Sequence, residues 1–218
     1  MIYSNLTHFK EQMSQLKKRF DLPLPGIESQ LKWAPEYRQE LIEKNNFSEP
    51  PRQSAVLILL FPDAGKVHTV FIRRNLYDGV HSGQIAFPGG RAEPEDADLV
   101  ATALREAEEE IGIDRNQVEV LGCLTKLYIP PSNFDVQPVV GYSLSKPDFI
   151  PQLSEVSGFF TVEIDHLMKS ETCQTRKVVY ANGREYLVPC FAVDDYVIWG
   201  ATSMVLNEFL ELTGLPYR

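Results

Sequence analysis

One short run, Arg105-Glu106-Ala107-Glu108-Glu109-Glu110, holds four carboxylates and a guanidinium. In a helix turning about 100° per residue, Glu106, Glu109 and Glu110 share one side. Val100, Ala103, Leu104, Ala107 and Ile111 fall on another side, which faces a core, and Glu108 points away from both. Carboxylates crowded on one face repel each other unless a cation sits among them. Oxygen-only ligands of this kind suit Mg²⁺ or Mn²⁺. The plain alternative is a solvated acidic surface helix, the usual meaning of a charge run. The preceding residues bear on that choice. Phe87-Pro88-Gly89-Gly90 forms a turn, and an acidic loop with Glu93, Glu95, Asp96 and Asp98 follows it. Such acids suit the N-cap and the positive end of a helix dipole.

The elements that must position this run are those of a single domain with an extension. The chain has 218 residues, 44% of them hydrophobic and 23% charged, as in an ordinary globular protein. A net charge of −9 argues against a nucleic-acid partner. It also means that a phosphate-bearing substrate needs a bridging metal ion. No apolar run is long enough for a transmembrane helix, so no membrane association is expected. The first residues lack a basic start followed by an apolar core, so no signal peptide is expected either. Cys123, Cys173 and Cys190 are odd in number and lack zinc spacing; they read as free thiols of a cytoplasmic protein.

Residues 1–53 form an N-terminal helical extension. Leu6, Phe9, Met13, Leu16 and Phe20 recur at helical spacing. Two prolines in residues 21–26 break that helix. A turn at Trp33-Ala34-Pro35 and a short polar helix near Glu36–Glu43 come next. The extension is expected to cover an edge of the main domain or to swap onto a second subunit of a homodimer, and it shows no chemistry of its own.

Residues 54–218 form the main domain. Ala55–Phe61 is a continuous apolar run, a buried strand. Pro62-Asp63-Ala64-Gly65 is a turn and Lys66–Arg74 the returning strand. After the acidic helix, which Gly112 ends, Val118–Ile129 and Phe134–Leu144 read as strands. Gly158–Val162 is a short strand before a helix near Ile164–Lys169. Residues 175–191 form a hairpin about Asn182-Gly183. A final helix carries Met204, Val205, Phe209 and Leu212 and ends at Gly214. The order predicts an α/β (α+β) fold, an α/β/α sandwich around a mixed sheet.

The acidic run in this setting resembles the Nudix hydrolase signature. Gly90, Arg105, Glu106, Glu109, Glu110, Gly112 and Ile113 match it. Ala107 stands at an aliphatic position. Asp96 stands where an early Glu belongs, one residue further from Arg105 than the signature has it. Nudix domains are three-layered, so the resemblance implies the same sandwich. It also implies that Glu109 and Glu110 are the main metal ligands, and that Glu106 is a further ligand or a base acting through water. Arg105 would orient Glu106, the carbonyl of Gly89 would complete the metal shell, and Glu155 is the candidate for a more distant carboxylate. Glu106, Arg105 and Glu109 are thereby the catalytic candidates.

A second motif, just upstream, is similar to that of coenzyme A pyrophosphatases. Arg74, Gly83, Phe87, Pro88, Gly89 and Gly90 match it, whereas Asn75 and Gly79 replace a small residue and an arginine. The resemblance implies that Arg74, Arg73, Gly83, Phe87 and Gly90 contact a coenzyme A-like nucleotide, with Arg73, Arg74 or Lys126 compensating for the arginine lost at position 79. The implied activity is metal-dependent cleavage of the diphosphate of coenzyme A. The rivals are hydrolysis of another nucleoside diphosphate derivative, such as NADH or ADP-ribose, and a non-catalytic nucleotide-binding module. His81, Tyr128, Phe134 and Tyr142 are left without a role.

Overall fold

The computed structural model describes residues 2–44, 47–76, 81–179 and 183–214. Gly79 and Asn182 lie outside the described residues. The central strand β1 (Arg52–Asp63) explains the rest. Its side chains alternate between two hydrophobic layers. Leu57, Leu59 and Phe61 pack with Ala103, Ala107 and Ile111 of the acidic helix α4 (Leu99–Ile111). Ile58 and Leu60 pack on the other side with Phe9, Met13 and Leu16 of α1 (Ile2–Arg19) and with Leu206, Phe209 and Leu210 of α6 (Ala201–Thr213). Both faces are covered, which is why the run is apolar throughout rather than alternating. The predicted sandwich is borne out, with α4 on one side of the sheet and α1 and α6 on the other.

The sheet is mixed, as expected. Strand β7 (Phe134–Tyr142) runs parallel to β1 from Arg52↔Phe134 to Leu60↔Tyr142. The other edge of β1 is shared. β2 (Lys66–Arg74) pairs with it only from Leu60 to Asp63, and β4 (Gly89–Arg91) pairs with it from Ser54 to Val56. Beyond the split, β2 pairs with β3 (Ile85–Ala86), and its other edge pairs with β8 (Val156–Glu163) from His68 to Arg74. The Phe87-Pro88 link enters where β1 and β2 separate, and Leu57 N–H donates to the Pro88 carbonyl at 2.8 Å. The Gly-Gly turn is thus held by the centre of the sheet.

Three expectations change in detail. The turn after β1 is tighter than predicted: Pro62 still pairs with Val67, leaving Ala64 and Gly65, with φ of 48° and 80°, as a two-residue turn of the kind that hairpins favour. The strand predicted over 118–129 is two, β5 (Glu119–Cys123) and β6 (Leu127–Ile129), both on β7. The break lies opposite Pro138, which can donate no ladder bond. The predicted 175–191 hairpin belongs to a separate sheet of β9 (Cys173–Val179), β10 (Glu185–Val193) and β11 (Tyr196–Trp199), after a short α5 (Ile164–Leu167).

The N-terminal segment also holds a helix that periodicity did not reveal, α2 (Gly26–Leu31), before α3 (Arg38–Lys44). Fully buried Glu208 of α6 fixes it. The Glu208 carboxylate accepts from Gly26 N–H at 3.2 Å, Thr125 N–H at 3.1 Å and Gln30 Nε2 at 2.6 Å. Asn207 Nδ2 donates to the Ser29 carbonyl and hydroxyl, each at 2.9 Å. Trp33 stacks on Phe191 of β10 at 3.9 Å. Buried polar groups are tolerated when satisfied in this way.

Candidate active site

Helix α4 is delimited at both ends by its own sequence. Asp98 caps it, Oδ1 accepting from Ala101 N–H at 2.8 Å. Gly112 ends it in the left-handed region at φ 69°. The last carbonyls are then taken up by the loop before β8: Ile150 N–H donates to Ile111 and Gln152 N–H to Glu110, both at 2.9 Å. These bonds bring exposed Glu155, at the head of β8, near enough to add its negative charge to the field at Glu106 and Glu110.

The three acids of the predicted face differ in environment. Glu110 is 4% exposed, and Oε2 accepts from Gly89 N–H at 2.8 Å. Burial pushes its pKa from 4.5 up to about 7, and Glu106 and Glu155 push the same way; Arg74 and the Gly89 N–H oppose them. Burial also raises Glu106, against the pull of Arg105. The Glu109 side chain is half-exposed.

Arg105 ties the face together. Nη1 donates to Glu106 Oε1 and Glu109 Oε2, both at 3.0 Å. Nε and Nη2 form a fork on Asp96 at 2.9 and 3.0 Å, and Nη2 also reaches the Arg91 carbonyl at 3.0 Å. Asp96 therefore acts as an anchor for Arg105, although it stands one residue off the signature. The Thr102 hydroxyl and Glu93 N–H also donate to Asp96, at 2.9 Å each. The Arg105 fork holds its carboxyl well below the usual carboxylate range.

The two glycines are demanded by close approach. Gly89 has φ 149°, and a Cβ there would overlap the Ala55 carbonyl and Val56 Cα. At Gly90 a Cβ would overlap the Glu106 carboxylate. Arg74 Nη2 donates to the Gly89 carbonyl at 3.0 Å, so Arg74, Gly89 and Glu110 form one chain of hydrogen bonds across β2, β4 and α4. Phe87 is buried against Phe71, with ring centroids 4.6 Å apart. Gly83 sits at a turn with φ 66°, its N–H donating to the Asn75 carbonyl at 3.2 Å. Arg73 is exposed, on the opposite side of β2 from Arg74.

A cavity of about 300 Å³ opens beside the two glycines. Arg74, Phe87, Gly89 and Gly90 line it, whereas Arg73, Gly83 and the α4 acids do not. His81 lines it too, with Nε2 3.0 Å from Ser132 Oγ and Nδ1 3.2 Å from Gln84 Oε1; burial lowers its pKa. Phe134 contributes a wall, with the Arg52 guanidinium 4.2 Å from its ring centroid. Tyr128 and Tyr142 do not, and their hydroxyls donate to Asn133 and Glu119. The far wall is Tyr37, Arg38 and Leu41 from the N-terminal segment. Nothing in the local spacing of those three marks them as cavity residues.

The acidic set fits a hard divalent cation in its chemistry. It offers oxygen donors only, and like-charge repulsion adds to the effect of burial in raising Glu106 and Glu110. Among the described residues no three acidic, histidine or cysteine side chains are yet arranged to hold an ion. The Arg105 bridge occupies one oxygen of Glu106 and one of Glu109. Each carboxylate keeps its second oxygen.

Residues 51–182 match the NUDIX domain family. Nudix hydrolase 15, mitochondrial, of Arabidopsis thaliana is 36% identical over 170 residues, covering 75% of this chain and 59% of that protein. The chain thus aligns with under two thirds of that relative's length. The uncharacterized Nudix hydrolase NudL of Yersinia pestis (strain Pestoides F) is 30% identical over 203 residues, covering 92% of this chain and 94% of that protein. The crystal structure of RenU, a Nudix hydrolase from M. smegmatis, superposes with a TM-score of 0.54 at 16% identity over 76% of this chain and 88% of its own, a likeness of fold. The chain belongs to the Nudix family of hydrolases.

Proposed function

We propose that this protein is a divalent-metal-dependent hydrolase of the diphosphate in coenzyme A or its derivatives, releasing 4′-phosphopantetheine and adenosine 3′,5′-bisphosphate. The observation that carries this reading is the Arg74–Gly89–Glu110 chain, whose first two members line the cavity. It joins the residues of the upstream motif to the acidic helix, so a diphosphate laid across the Gly-Gly turn meets both. The three free cysteines among the described residues favour a reducing compartment, and we place the protein in the cytoplasm.

Glu109 and Glu110 would hold the ion, with the Gly89 carbonyl and Glu155 as further oxygen donors. Mg²⁺ or Mn²⁺ bound there would neutralise the diphosphate and acidify a water molecule. The protein's own groups do the rest. Arg74 keeps the Gly89 carbonyl turned toward the site, and the Gly89 N–H fixes Glu110. Arg105 is a positioning residue that ties Glu106 to Glu109 along one side of the helix. Glu106, whose basicity burial has raised, takes the proton of the attacking water. The water oxygen bonds to phosphorus, the P–O anhydride bond breaks, and the departing phosphate ester keeps the electron pair.

Chromatographic product analysis tests the proposal, with Mg²⁺ or Mn²⁺ and a panel of coenzyme A, NADH, ADP-ribose and nucleoside triphosphates. Preferred conversion of coenzyme A to the two products is expected. Preferred cleavage of another member overturns the substrate and keeps the chemistry. Nucleotide binding without any cleavage leaves a binding module instead.

A further inference from the structure

The charged lining of the cavity has one sign. Among its described wall residues the charged side chains are Arg38, Arg74 and Arg91, with no carboxylate, in a chain whose net charge is −9. Arg74 is engaged with the Gly89 carbonyl. Arg91 is exposed at the end of β4. Arg38, the first residue of α3, is different. Nη2 donates to the Tyr128 carbonyl at 2.6 Å, but Nε is buried without an acceptor. A guanidinium has five N–H donors and stays charged. A partly desolvated cation with a buried, unmet donor is costly unless something compensates it. The cavity supplies no protein anion to do so.

We infer that Arg38 receives a phosphate monoester carried by the substrate outside its diphosphate, and so selects nucleotides that bear this extra group. The inference rests on the coenzyme A reading, since the 3′-phosphate of coenzyme A is such a group. It gives the N-terminal segment the role that an arginine at position 79 would have filled. The other candidates for that role are poorly placed. Arg73 is exposed and off the cavity wall. Lys126, also off the wall, donates to Gln53 at 2.9 Å and pairs with Asp135 at 3.6 Å. Arginine suits the task because its planar fork matches phosphate oxygens.

The test is calorimetric binding of adenosine 3′,5′-bisphosphate and of AMP to the full chain, its Arg38→Gln and Arg38→Lys variants. Wild type should prefer the bisphosphate by about tenfold or more. Arg38→Gln should lose that preference while holding AMP within about twofold of wild type. Arg38→Lys should keep part of it, and serves alone if the Gln variant does not fold. Equal wild-type affinities for the two ligands, or a Gln variant that weakens both alike, would overturn the inference. Turnover of coenzyme A and 3′-dephospho-coenzyme A separates the two proposals. If coenzyme A is cleaved without preference for the 3′-phosphate, Arg38 is wrongly assigned. If another diphosphate is cleaved while the bisphosphate preference persists, only the coenzyme A reading fails.

Discussion

The acidic helix and the N-terminal segment are held in place by opposite kinds of contact. Around α4 the decisive contacts are short in sequence. Arg105 meets Glu106 one residue away, Glu109 four away and Asp96 nine away. In the N-terminal segment they are long. Gln30 meets Glu208 and Ser29 meets Asn207 across 178 residues, and Arg38 meets the Tyr128 carbonyl across 90. Chemistry built on one helix is written in local spacing. A wall borrowed from a distant segment is set by tertiary packing alone. We propose metal and proton chemistry for the first region and substrate selection for the second.

The largest expected break is Glu110→Gln, which should lower kcat by about 10³-fold or more, roughly 4 kcal/mol of barrier. The same variant carries an opposite signature in the fold. With its pKa raised from 4.5 to about 7, Glu110 retains a proton in the metal-free folded state at pH values where the unfolded chain has lost it. Folded protein therefore binds more protons between those values. The stability contributed by Glu110 is full below pH 4.5 and is lost as pH rises through about 7. Removing the ionisable group should stabilise the metal-free protein by up to about 3 kcal/mol at pH 8 and hardly at all at pH 4.5. Urea denaturation in EDTA at the two pH values checks this. A fall in stability at pH 8 would refute the burial argument.

On the other side of the comparison, Glu208→Ala strips an acceptor from Gly26, Thr125 and Gln30. Global stability should drop by about 3 kcal/mol. The KM for substrate should rise more than kcat falls, because α2, which leads into α3, loses its clasp on α6. A pure kcat effect would contradict the division of labour. Arg105→Lys should be milder, about 10- to 100-fold in kcat with KM little changed, since an ammonium cannot reproduce the fork on Asp96. Steady-state kinetics decides whether the loss falls on kcat.

Much of this was legible in the sequence. The layered fold followed from an unbroken apolar run at Ala55–Phe61 flanked by amphipathic helices, and the end of α4 from Gly112; its cap lay among four acids, of which the structure selects Asp98. The acidic face followed from 3.6-residue spacing. Three features were not legible. The anchoring role of Asp96 depends on how the loop folds back beneath Arg105, which an extra residue obscures. The Gly89–Glu110 and Arg74–Gly89 hydrogen bonds arise from the split between β1 and β2, a property of pairing rather than of pattern. Helix α2 is short and carries no stripe; its stability comes from Glu208 and Asn207, whose partners no local period can identify.

The central claim, that the α4 face and the Gly-Gly turn hold the ion at which a diphosphate is opened, is tested most directly by anomalous diffraction from crystals soaked in Mn²⁺. Density bound to Glu109 and Glu110 beside the Gly89 carbonyl is expected, with Arg105 still tied to Glu106 and Glu109. Saturating Mn²⁺ with no density on that face would contradict it.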